Sequence, residues 1–179
     1  GGGVTLSGGD PLMQPDFAGE LLKACKAQGW NTAIETEGCA ETETYLRLVP
    51  YIDTILMDIK HMDPEKHRLF TGVSNELILN NARRVSAFAP LTIRVPVIPK
   101  FNESEEEIRA IAEFAASLGK VRYVHLLPYH SLGENKYRMM GIEYKMNRLS
   151  AKSLSNKELE KYRPIVEQTG VSCRIGDES

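Results

Sequence analysis

Cysteine is scarce in this sequence and scattered where it occurs. Cys25, Cys39 and Cys173 are the whole complement, and no CxxC or CxxxCxxC spacing joins them. The chain therefore writes no metal or cluster motif of its own, and an odd count at irregular spacing reads as free thiols of a reducing compartment. An excess of either charge is also missing. With 22 Lys and Arg against 24 Asp and Glu, the net charge of −2 leaves no broad basic surface of the kind nucleic acid or an acidic membrane requires. Neither partner is expected. Long apolar runs are absent too, all falling well short of the ~18 residues of a membrane span. A charged-then-apolar leader is not seen, so a cytoplasmic location is the expectation. The opening Gly1-Gly2-Gly3-Val4, without Met, reads as the start of a segment from a longer protein.

What is present is a chain of 179 residues, enough for one domain over residues 1–179 with a sizeable core. Its organising stretch is Val4-Thr5-Leu6-Ser7-Gly8-Gly9-Asp10-Pro11, a short β-branched run that ends in two glycines and a carboxylate. Glycines at the carboxyl end of a strand permit a tight turn, and they also let a ligand approach main-chain groups. Pro11 stops the strand.

Downstream, strand and helix patterns alternate. Phe17, Leu21, Leu22 and Cys25 recur at helical spacing after Pro15, up to Gly29. Thr32–Thr36 reads as a second strand, and Thr42 as the cap of a short helix closed by Pro50. The nearly unbroken apolar run Thr54–Lys60 predicts a strand buried on both faces, as in a parallel sheet. Asp63-Pro64 and Ser74-Asn75 open two more helices. Leu91–Ile98 is a strand whose pairing is lost on one side at Pro96. Ser104-Glu105-Glu106-Glu107 is read as a capping box at a solvated helix start. A fifth strand, Val121–Leu127, runs into Pro128-Tyr129-His130. Residues 131–153 read as a long loop or lid. A final helix from Ser155 is kinked or broken at Pro164, and Val171–Ile175 suits a short edge strand.

Five such strand–helix units imply a parallel sheet wound one way, too small for a closed eight-stranded barrel: an incomplete barrel or a doubly wound sheet. Polar residues gather at the strand ends: Gly8-Gly9-Asp10, Glu35-Thr36, Asp58 with Lys60, Arg94, and His130. Such a rim could hold a zwitterion, its carboxylates taking an ammonium and its cations a carboxylate. Residue by residue, blander readings stand beside this one: an internal Asp58–Lys60 salt bridge, and a surface or core His130.

Together, Gly1 to Pro11, Ile34-Glu35-Thr36-Glu37-Gly38, Leu56-Met57-Asp58-Ile59-Lys60, Arg94, Leu126-Leu127-Pro128-Tyr129-His130 and Gly141-Ile142-Glu143-Tyr144 resemble the radical S-adenosylmethionine enzymes that activate glycyl radical enzymes, above all the pyruvate formate-lyase activating enzymes. The resemblance implies an α/β fold, a partial parallel (β/α) barrel of about five strands with outer helices. It implies S-adenosylmethionine and a [4Fe-4S] cluster as cofactors, the cluster ligands lying outside this chain. It implies a 5′-deoxyadenosyl radical that takes hydrogen from a glycine of a partner such as pyruvate formate-lyase, with flavodoxin or ferredoxin as electron donor. Carried over by position, Ser7, Gly8, Gly9 and Asp10 resemble the segment that receives the methionine amino group. Glu35 and Asp58 add acceptor charge, and with Thr36 they resemble a monovalent cation site. Lys60 looks like the carboxylate's partner, Arg94 a further polar contact, and His130 a contact to adenosine. Asp10 and Glu35 stand where glutamate and aspartate are more usual, shifting each carboxylate by one methylene. By this reading the chain lacks the family's first strand, helix and cluster loop, and it is inactive alone. Two other readings remain: an aldolase-like barrel with Lys60 as a Schiff-base amine, and a noncatalytic docking module.

Overall fold

The computed structural model describes residues 2–129, 139, 141 and 152–178. Six strands form one parallel sheet in chain order: β1 (Gly3–Leu6), β2 (Asn31–Thr36), β3 (Thr54–Asp58), β4 (Leu91–Val97), β5 (Val121–Pro128) and β6 (Cys173–Ile175). The sixth is the edge strand expected near Val171–Ile175, and it pairs parallel to β5. A doubly wound sheet is thereby excluded. Strand order never reverses, so right-handed crossovers put every connecting helix on the same side.

Between the strands run α1 (Pro15–Ala27), α2 (Thr42–Leu48), α3 (Pro64–Thr71), α4 (Glu76–Val85) and α5 (Glu105–Ala116), then α6 (Asn156–Leu159) and α7 (Arg163–Glu167). A 3-10 turn at Glu160–Tyr162 separates α6 from α7, the break expected at Pro164, whose missing N–H cannot continue an α-helix. Glu158 and Ser155 close a capping box at the start of α6.

Alternation along each strand sorts side chains to two faces. On the helix-covered face, Ile34, Ile55, Met57, Ile93, Val95, Val124, Leu126 and Ile175 are almost wholly buried, packing on Leu22, Ile78, Ile108, Ile111 and Val166. Burying so many branched side chains, each contributing about 1.5–3 kcal/mol, is the main force holding helices to sheet. Glu35, Asp58, Arg94, His125 and Arg174 take the other, concave face, where burial is only partial. A smaller cluster of Ile98, Phe101 and Tyr129, with Phe70, sits beyond the carboxyl ends of β4 and β5.

Local expectations fail in four places, the first being β3, expected to be buried on both faces but buried only at Ile55 and Met57, with Thr54, Leu56 and Asp58 partly covered on the concave side. Phe17 does not face the core: Ala18, Leu22 and Cys25 do, which turns the apolar stripe of α1 and leaves Phe17 67% exposed. Thr42 does not cap α2; Glu41 is the N-cap residue, and the Thr42 hydroxyl donates to Asn81 Oδ1. The Ser104 box is half made, because Ser104 accepts from the Glu107 N–H but Glu107 turns inward instead of bonding back.

Candidate functional site

At the carboxyl ends of β1 to β4 the chain opens a cleft of about 350 Å³, lined by Ser7, Gly8, Gly9, Asp10, Glu35, Thr36, Glu37, Asp58 and Arg94. All but one of the expected rim residues among those described line it, and Lys60 stands beside it, tied to its walls. His130 lies outside the described residues, as do Ile142, Glu143, Tyr144 and most of the expected lid.

Each wall has a local cause. Gly8 takes φ of +106°, a left-handed turn that only glycine adopts without strain, and this swings the chain from β1 toward Asp10. Asp10 then works as a staple: its Oδ1 accepts from the Leu12 N–H at 2.9 Å, and its Oδ2 from the Thr36 hydroxyl at 2.8 Å and the Glu37 N–H at 2.9 Å. The two glycines are thus fixed between a strand and a braced carboxylate. Thr36 points to the helix-covered side, where its hydroxyl also accepts from the Gly38 N–H.

Arg94 crosses the middle of the cleft. Its Nη1 lies 2.8 Å from Glu35 Oε1, and its Nε is 3.3 Å from Asp58 Oδ1, close enough for ion pairing but not aligned as a hydrogen bond. Ser7 Oγ donates to the second Glu35 oxygen at 2.8 Å. Lys60 pairs with Glu37 and stands 3.9 Å from Asp58 Oδ2, so the internal Asp58–Lys60 contact is present though loose. Burial raises the Asp58 carboxyl above its ordinary range, against the pull of Lys60 and then Arg94. Acidic and basic groups therefore alternate across the floor, and each is positioned by another.

The described residues contain no group of three or more His, Cys, Asp or Glu side chains able to hold a metal ion. Glu35 and Asp58 face Arg94, while the Thr36 hydroxyl is engaged by Asp10, and all three residues line the one cleft. The cysteines do not suit a cluster either. Cys25 and Cys173 are buried and Cys39 half-buried, on separate parts of the chain, and burial pushes the Cys173 thiol up to about 12. An amino-acid head fits better, since carboxylates for an ammonium and a guanidinium for a carboxylate lie within one cleft.

Glu37 is a cleft residue that a reading of motifs does not single out, and two further polar residues lie on the same face of the sheet without lining the cleft. Glu37, taken only as part of a matching stretch, is the partner of Lys60. His125 and Arg174 share a register row with Asp58 and Arg94 on the concave face, and the Arg174 guanidinium lies 4.0 Å from the Tyr123 ring centroid. The His125 signal was available, being two residues before Leu127 in a strand of known parity. Arg174 required knowing that β6 joins the sheet.

Residues 1–128 match the radical SAM superfamily. The chain is 41% identical over 176 residues to the indoleacetate decarboxylase activating enzyme of Tractidigestivibacter scatoligenes, covering 97% of this chain and 55% of that protein. It is 40% identical over 181 residues to the 4-hydroxyphenylacetate decarboxylase activating enzyme of Clostridioides difficile strain 630, covering 99% and 56%. The chain thus spans little more than half the length of these relatives. Among solved structures, a domain of pyruvate-formate lyase-activating enzyme from Bacteroides vulgatus ATCC 8482 superposes with a TM-score of 0.80 at 35% identity, covering 98% of this chain and 99% of that one.

Proposed function

Because this chain belongs to the radical SAM superfamily, we propose that it is the cofactor-holding core of an activating enzyme whose substrate is a glycyl radical enzyme. The observation that carries the proposal is the convergence of Ser7, Gly8, Gly9, Glu35, Asp58, Lys60 and Arg94 on one rim. When bound and reduced through an iron–sulfur cluster, S-adenosylmethionine supplies the carbon-radical chemistry that removes a hydrogen atom from a partner's glycine.

The chain's own residues bind and orient. The Gly8-Gly9 turn lines the cleft without side chains, and a Cβ at either glycine would meet nothing within 4 Å, so there is clear space beside this stretch of backbone. Glu35 and Asp58 offer acceptors to an ammonium, and Arg94 and Lys60 offer donors to a carboxylate. A ligand zwitterion would exchange these internal ion pairs for its own, which keeps the desolvation cost of binding low. Lys60 is held as the counter-ion of Glu37 and Asp58, an arrangement suited to a charge partner and unsuited to a Schiff-base amine. An electron donor of the flavodoxin or ferredoxin type completes the proposed system.

The test is a chimera in which this chain replaces the matching segment of the indoleacetate decarboxylase activating enzyme. Reduced and given S-adenosylmethionine, it should raise a glycyl radical signal in the partner decarboxylase by electron paramagnetic resonance. Arg94→Gln and Glu35→Gln should weaken S-adenosylmethionine binding about tenfold each. A folded chimera that binds S-adenosylmethionine no better than its Arg94→Gln variant, and makes no radical, would overturn the reading.

A further inference from the structure

β3 and β4 carry Asp58 and Arg94, and Lys60 follows just past the end of β3, so the relation between these two strand tips sets the cleft floor. The ladder joining them runs to a definite end. Ile59 N–H donates to the Arg94 carbonyl at 2.9 Å, and by the alternation of a parallel ladder the Ile59 carbonyl would next accept from the N–H of residue 96. That residue is Pro96, which has no N–H to give. On its other side Pro96 remains in register with Leu127 of β5, so the interruption falls on the β3 side alone.

Past the interruption the two tips are joined by a side chain. Asn102, in the turn after β4, is 1% exposed. Its Nδ2 donates to the Lys60 carbonyl at 2.8 Å and to the Pro96 carbonyl at 2.8 Å, while its Oδ1 accepts from the Ile98 N–H at 2.6 Å. The carboxamide uses both donors and its acceptor on main-chain groups of the two strands' extensions. A buried side chain with three such bonds has a single rotamer and a single placement.

We infer that Asn102 is a positioning residue: its carboxamide splices β3 to β4 where Pro96 interrupts their ladder, and so fixes Lys60 beside Asp58 and opposite Arg94. A leucine of similar size would fill the space yet leave the Lys60 and Pro96 carbonyls and the Ile98 N–H without this partner. Residue 96 matters only because it lacks an N–H, which makes the inference separable from a general loss of packing. Its consequence for ligand binding rests on the function proposed above; the splice itself does not.

The experiment measures the acetylation rate of each lysine in the intact chain by mass spectrometry, with Lys23, Lys26 and Lys120 as internal references. In Asn102→Ala, Lys60 should react about three- to tenfold faster while the reference lysines keep their rates. Adding Pro96→Val, which returns an N–H to the β3 side, should bring the Lys60 rate back toward that of the parent chain. If Asn102→Ala alone does not fold, the double variant should. Three results would overturn the splice: an unchanged Lys60 rate, a parallel rise at all lysines, or a double variant that restores neither folding nor rate. A separate titration of S-adenosylmethionine into the chimera reports on ligand binding. Lys60 exposure that responds as described without any change in affinity would sink only the link to the cofactor.

Discussion

Glu107 Oε1 lies 3.2 Å from His61 Nδ1 and accepts the Met62 N–H, and through that backbone bond a glutamate from the first turn of α5 reaches back to hold the loop after β3. His61 is 2% exposed and packs against Phe101, with ring centroids 5.1 Å apart. Its Nδ1 also accepts from the Asp63 N–H at 3.0 Å, which requires the neutral imidazole.

That arrangement gives the protein a pH-dependent stability. Burial, reinforced by Lys66, holds His61 down at about 4, and burial raises Glu107. The unfolded chain takes up the His61 proton near pH 6.5 and the folded chain does not until about 4. The His61 contribution is therefore full above pH 6.5 and falls as pH drops through that window, by roughly 2 kcal/mol at pH 5 and about 3 kcal/mol over the whole window, the raised Glu107 carboxyl acting in the opposite sense. Urea midpoints at pH 7.5 and pH 5 should differ in that sense, and His61→Gln should flatten the slope between them. A slope identical in the variant would remove His61 as its source.

The Asp10 staple should matter more to folding than a surface carboxylate would. Asp10→Ala removes the acceptor of two N–H groups and the Thr36 hydroxyl and should cost about 2 kcal/mol. Asp10→Asn, which keeps one acceptor oxygen, should cost less. Chemical denaturation of the two variants orders them; equal losses would contradict the bonding described.

Gly38 sits at φ +69°, and a Cβ there would stand 3.1 Å from Met57 Cε and Sδ. Gly38→Ala should destabilise by about 1–2 kcal/mol through left-handed strain and a crowded Met57. Met57→Ala in the same background should relieve only the steric part. A thermal unfolding series of the four combinations separates the two contributions, and a neutral Gly38→Ala would refute both.

Arg94 neutralises two carboxylates at once. Arg94→Gln should lower stability by about 1–2 kcal/mol at pH 7, because Glu35 and Asp58 are left facing each other partly out of water. The loss should shrink at pH 4.5, because burial raises the Asp58 carboxyl and brings it closer to protonation there. Urea unfolding at the two pH values checks this; a loss independent of pH would mean the guanidinium acts by packing alone.

Much of the architecture is legible from elementary patterning. Apolar runs such as Thr54–Asp58, punctuated by Gly29, Pro50, Gly72 and Gly119, mark the strands and helices because each unit is short and bounded by residues that stop it. Strand-end polar residues could be collected into a rim because a parallel sheet gathers all its carboxyl ends at one edge. Glu107 and Asn102 were illegible for a shared reason. A charged residue in a helix's first turn, or an amide in a turn, reads as solvated, and only the approach of a loop from residues tens of positions away makes it a buried partner. Phe17 misled in the opposite direction, since helical spacing fixes which residues share a stripe but not how the helix is rolled on its sheet.

Strand order that follows chain order has a further effect. Each crossover touches chiefly its immediate neighbours, and the reverse turns at Gly29-Trp30, Phe88–Pro90 and Gly119-Lys120 all gather at the rim opposite the cleft. Labels, tethers or inserted sequences placed there would report on the molecule, or anchor it to a support, without obstructing the cleft at the other end.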